Sequence, residues 1–136
     1  MARYRELPVV VDATQWFKNG DHPDDYTRSR RGLTATGTVL FSAEHARRQG
    51  WEGDVVRYYR DPLVPGSLLC MDCGKTMHVH GWLDTGGSGQ AVCPGDFVVT
   101  GVDGKPFAVK PEAFKQRYQR VIQPPASVTE NLPEPL

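Results

Sequence analysis

The three cysteines of this chain all lie between positions 70 and 93, and two of its four histidines lie among them. They read Cys70-Met-Asp-Cys73-Gly, then Met77-His78-Val-His80-Gly-Trp82, then Cys93-Pro-Gly. Two residues between thiolates let both sulfurs reach one ion, and a glycine directly after the second relieves crowding and turns backbone amides toward the sulfurs. A structural zinc takes four tetrahedral ligands, a count that three cysteines and one histidine meet. The spacing therefore predicts a zinc knuckle built from Cys70, Cys73, Cys93 and a histidine. His80 is the candidate, because Gly81 allows the backbone to bend there and bring the imidazole back. His78 is its alternative, since the two would share one face if the segment were a strand. Cys93 joins them if the hairpin from Trp82 to Val92 folds back and Pro94 opens a turn at the strand end.

Other readings of the same side chains stay open at this point. Cys70 and Cys73 can form a redox pair, or all three thiols can be plain buried groups. A thioredoxin-like pair belongs at a helix N-terminus after a parallel strand, whereas this neighbourhood is rich in turns. A catalytic zinc keeps an open coordination position and a carboxylate base, for which Asp84 or Asp96 would serve if two cysteines and one histidine bound the ion. The deaminase order of His-x-Glu before Pro-Cys-x-x-Cys is absent. So are the Gly-x-Ser-x-Gly elbow, the phosphate-cradling glycine loop, His-Glu-x-x-His and the dinucleotide fingerprint.

The zinc matters more because the apolar material is thin: 39 % of the chain is hydrophobic, and 14 glycines and 11 prolines interrupt it. At 136 residues one domain is expected, over 1–122, with a flexible tail over 123–136 that has too few apolar anchors to order itself. Small domains bury a low fraction of their surface, so a metal is a natural supplement. Lys and Arg number 16 against 16 Asp and Glu, which removes a broad electrostatic footprint for nucleic acid. Local basic groups occur at Arg28, Arg30 and Arg31, at Arg47 and Arg48, and at Lys115, Arg117 and Arg120, each near acidic residues that make a solvated surface the simpler reading. The N-terminal apolar stretch is too short for a signal-peptide core or a membrane span, so a cytoplasmic chain with reduced thiols is expected.

Local patterns predict an α+β fold with a small antiparallel sheet or open barrel. Residues 8–14 read as a first strand and 18–37 as a long surface loop. Ser42 and Gly50 bracket a short helix over about 42–50. Residues 54–59 read as a strand, and 61–66 as a proline-framed turn. From 67 to 110 short strands alternate with turns, including a hairpin tip at 86–89 and a two-residue turn at Asp103-Gly104. Pro111 opens a helix over about 111–120, with Phe114, Tyr118 and Val121 on one face against the sheet. Trp16, Trp51, Trp82, Tyr58 and Tyr59 fit core packing better than a stacking platform for single strands.

Several segments together resemble a family of small proteins encoded by actinobacterial phages and prophages. They are Val55-Val-Arg-Tyr-Tyr-Arg-Asp-Pro, Cys-x-x-Cys-Gly, Met77-His-x-His-Gly-Trp, Val92-Cys-Pro-Gly-Asp96 and Lys110-Pro-x-x-Phe-x-x-x-Tyr118. Phe97 stands where that family usually has Trp, and Val109 where many members carry another cysteine. The resemblance implies a phage-derived accessory protein of the host cytoplasm. The function expected from it is non-enzymatic binding of a host macromolecule, most simply a protein. Alternatives are a small-ligand binder that holds nucleotide-like phosphates through Arg57, Arg60, Arg30 and Arg31, or a single-stranded nucleic-acid binder.

Overall fold

Among the described residues, short β-branched and aromatic runs separated by glycine and proline form three small antiparallel sheets rather than one. The computed structural model describes residues 1–5, 8–85 and 87–121; the tail expected over 123–136 lies outside the described residues. The first sheet has the order β1-β7-β8, from β1 (Asp12–Gln15), β7 (Phe97–Thr100) and β8 (Pro106–Val109). The second is the hairpin of β2 (Arg30–Thr34) and β3 (Gly37–Phe41). The third has the order β4-β5-β6, from β4 (Arg57–Tyr58), β5 (Gly81–Leu83) and β6 (Gln90–Val92). With the two helices α1 (Ala43–Gln49) and α2 (Pro111–Arg117), the architecture is α+β, and among the described residues the strands do not close into a barrel.

The core lies between the first and third sheets. Trp16, Val56, Leu83, Val92 and Val98 pack together with Val55 and Ala108 at the margin. Trp16 and Trp82 are 2 % and 6 % exposed, so these indoles serve packing and are not available for stacking on a ligand. On the opposite face of the first sheet Phe97 stacks on Phe114 of α2, ring centroids 3.9 Å apart, and Phe114 stacks in turn on Tyr118.

The cap residues of α1 act as the sequence predicts: the Ser42 side chain accepts the His45 N–H, and Gly50 closes the helix in the left-handed region. Helix α2 is shorter than expected. It ends at Arg117, Tyr118 is already extended, and Val121 is exposed rather than part of the apolar face.

Three local expectations are corrected. The first strand begins at Asp12 and not at position 8, because its partner β7 ends at Thr100, opposite Asp12. Beyond that point Val9 and Val10 have no strand to pair with and stay exposed. The 18–37 region is only half loop, since 30–34 pairs with 37–41 in register Arg30↔Phe41 through Thr34↔Gly37. Its other half is bolted to the body by polar groups. Asp25, fully buried, accepts the Val55 and Val56 N–H groups at 2.8 and 3.0 Å, and Asn19 bridges Tyr26 and the Trp51 carbonyl. Such anchoring leaves no apolar periodicity to read. Finally, the β7–β8 connection is not a two-residue turn. Gly101 N–H donates to the Lys105 carbonyl and its own carbonyl accepts from Gly104, whose φ is +80°, which is a turn closed by a left-handed glycine bulge.

Candidate metal centre

The knuckle forms within a few residues. The Cys70 N–H donates to the Lys75 carbonyl at 2.7 Å, the Cys70 carbonyl accepts from Gly74 at 2.9 Å, and the Asp72 N–H points at the Cys70 sulfur at 3.4 Å. Gly74 sits at φ +76°, a conformation that a side chain there would strain. Leu69 and Thr76 form an isolated bridge that clamps the base of the loop.

The histidine arrives by a different device from the strand bend expected. Met77–Val79 is a single 3₁₀ turn, closed by the His80 N–H on the Met77 carbonyl at 2.9 Å. The turn breaks the two-residue alternation and sends the two imidazoles apart. His80 is 3 % exposed, with Nε2 3.3 Å from the Cys73 sulfur and Nδ1 3.0 Å from the Thr76 carbonyl. Donation from Nδ1–H to that carbonyl leaves the Nε2 lone pair facing the sulfurs, the arrangement a ligating histidine requires. His78 is exposed and contacts the Gly66 carbonyl and the Thr76 hydroxyl instead.

Cys93 follows β6, whose pairing with β5 brings it back over the knuckle. Its sulfur lies 3.7 Å from that of Cys70, much longer than a disulfide bond, and all three thiols are free. The ligand atoms of Cys70, Cys73, His80 and Cys93 all lie within 4.8 Å of one another, so the four side chains can hold a metal ion. No other group of three or more Cys, His, Asp or Glu does so among the described residues.

Two further residues complete the surroundings: Asp96, which the sequence offered only as a possible base, and Lys110, which it did not offer at all. Asp96, 3 % exposed, accepts the Cys93 N–H at 2.9 Å, which orients the strand end carrying that sulfur. Lys110, the residue before α2, donates to the Cys93 sulfur at 2.9 Å and to Asp96 at 3.1 Å. Pro111 immediately after Lys110 was the available signal, since it marks where the last strand hands over to a helix.

The electrostatics differ across the cluster. Burial works against ionising Cys70, but the N–H groups of Cys73 and Asp72 and the side chains of His80 and Cys93 outweigh it and bring the thiol down to about 7. Burial pushes the Cys93 thiol up, with Cys70 and Asp96 adding to the rise and the Lys110 ammonium opposing it. Burial also acts against the Lys110 charge, yet hydrogen bonds to Cys93 and Asp96 raise its pKa and keep it an ammonium. Cys70 therefore ionises before Cys93, and a divalent cation is what would draw the proton from Cys93.

The arginines considered for phosphate contacts are otherwise engaged. Arg57 and Arg60 both pair with Glu52, the first at 2.6 Å. Arg30 donates to the Glu52 and Asp25 carbonyls at 2.6 and 2.7 Å and lies 3.4 Å from Asp54. Arg30, Arg57 and Arg60 thus meet around Glu52, while Arg31 lies exposed on the β2–β3 hairpin.

Among the described residues, no helix is long and apolar enough to cross a membrane. Comparison with known protein families, with curated proteins and with solved structures found no match to this chain.

Proposed function

We propose that this chain is a non-enzymatic binding protein whose β scaffold is tied together by one structural zinc ion on Cys70, Cys73, His80 and Cys93. The convergence of these four ligand atoms within 4.8 Å carries the reading. Tetrahedral coordination with Zn–S bonds of about 2.3 Å separates sulfurs by about 3.8 Å, and sulfur from imidazole nitrogen by about 3.6 Å. The observed separations of 3.7 Å for Cys70 to Cys93 and 3.3 Å for Cys73 to His80 are close to that shape. Three thiolates and a neutral imidazole leave a zinc site with one surplus negative charge, and Lys110 supplies a matching positive one beside Cys93.

Four protein ligands leave no position for substrate or water, which favours a structural ion over a catalytic one. The same ligand set suits a reducing compartment such as the cytoplasm, where thiols stay free. A phage or prophage accessory role, with a host protein as partner, is consistent with the motif resemblance and with a small scaffold that carries no catalytic signature. The test is metal analysis of protein purified without added metal, joined to X-ray absorption. One zinc per chain with three sulfur ligands and one nitrogen is expected; a metal-free protein, or a bound water in the first shell, overturns the assignment.

A further inference from the structure

The face of the first sheet away from α2 carries Asp12, Thr14, Val98, Thr100 and Pro106, which the register places opposite one another across β1, β7 and β8. Over this face runs a cleft in two parts of about 340 and 240 Å³, which share His22, Asp24 and Thr100 as walls. Asp12, Asp24, Asp54 and Asp84 line it, and no lysine or arginine does.

Acidic residues alone would be unremarkable, but His22 points to a ligand. It is only 5 % exposed and yet lines both parts of the cleft. Its Nδ1 accepts the Asp24 N–H at 3.1 Å, which puts the ring proton on Nε2, and Nε2 has no protein acceptor among the described residues. On the cleft wall Asp54 is also incompletely paired: Oδ1 lies 3.4 Å from Arg30, while the buried Oδ2 has no hydrogen-bond partner. The carboxylates are spread too widely for three to share an ion, for no three of these residues bring an oxygen each within 4.8 Å of one another. A compact metal ion is therefore a poor fit. An extended organic cation that spans several carboxylates and also brings an acceptor for His22 fits better.

We propose that this cleft receives a basic side chain, arginine or lysine, of a partner peptide, with a neighbouring peptide carbonyl accepting the His22 Nε2–H. The proposal rests on the binding role put forward above and names the chemistry of the partner; it does not depend on the identity of the ion. A guanidinium offers five donors to the carboxylates, and the peptide backbone supplies the acceptor that a free polyamine lacks.

The experiment titrates ¹⁵N-labelled, metal-loaded full chain with a blocked Gly-Arg-Gly-Lys-Gly peptide, its Glu-for-basic counterpart and spermidine. Saturable amide shifts at Ala13, Asp24, Thr100 and Gly104 are expected with the basic peptide, only weak and non-saturating ones with spermidine, and none with the acidic peptide. Replacing two of the three exposed carboxylates, Asp24→Asn with Asp84→Asn, should weaken that binding about tenfold, at about threefold for each exposed charge pair. His22→Gln should lower peptide affinity while leaving the weak spermidine response unchanged. Equal binding of the acidic peptide, spermidine binding as tightly as the basic peptide, or an undiminished affinity in the Asp24→Asn/Asp84→Asn variant would each overturn the proposal. Metal content and melting temperature measured on every variant keep this result separate from the zinc assignment, which stands or falls on those two quantities.

Discussion

Stripping the metal should unfold the knuckle first and then cost the whole domain a measurable share of its stability. The segment between Gly66 and Gly81 has little else to hold it: Leu68, Leu69, Met71 and Val79 are all exposed, and only Met77 and His80 are buried. An ion joining Cys70 to Cys93, 23 positions apart, restrains the unfolded chain as a cross-link does. For a loop of that length the entropy model gives about 3.5 kcal/mol. The ligand bonds add to this, since structural zinc sites bind with on the order of 10 kcal/mol. Taking the cross-link alone as the minimum, the melting temperature of a chain this size should fall by about 10–15 °C. The assay is calorimetry or circular dichroism before and after a strong chelator, with thiol counting by a chromogenic disulfide to show that three cysteines become reactive. Restoration of the melting temperature by equimolar zinc should follow. A chelated protein with three reactive thiols and an unchanged melting temperature would refute the reasoning.

Four further outcomes are expected. His80→Ala should weaken metal binding by at least about 100-fold in a competition titration, whereas His78→Ala, on the surface, should leave affinity unchanged and stability within about 0.5 kcal/mol. Lys110→Met removes the donor to the Cys93 sulfur and should lower metal affinity about 10- to 100-fold without changing the ligand set seen by X-ray absorption. In the core, Leu83→Ala should cost about 2–5 kcal/mol by denaturant titration, and Gly81→Ala about 1–3 kcal/mol, because a Cβ there would sit 2.4 Å from Val56 and 3.0 Å from Trp16. Burial raises the Asp25 pKa above its ordinary value, against the opposing Val56 and Val55 N–H groups. A raised acid holds its proton better when folded, so its contribution is present below the unfolded pKa and is lost as pH rises through the folded one. Asp25→Asn, still able to accept both amides, should therefore gain in melting temperature relative to the parent as pH rises from acidic to neutral.

Short-range spacing already determined a good deal of this molecule. Cys70, Cys73 and Gly74 make a knuckle, Ser42 and Gly50 cap a helix, and Pro111 starts one, because each depends on bonds closed within a few residues. The α+β class follows from the same local signals. It is His80 and not His78 that stands with the three sulfurs, by way of a 3₁₀ turn at Met77–Val79 that the alternation of side chains did not announce. Where polar groups do the anchoring, sequence pattern was silent: the loop held by Asp25 and Asn19, and the hairpin containing Arg30 and Arg31, have no apolar period to follow. Only the tertiary fold could bring Lys110 to Cys93 across 17 positions, or set His22 and Asp84 on the walls of one cleft. Those encounters are decided by how sheets stack and where strands end, and the energies that decide them are spread over the packed core.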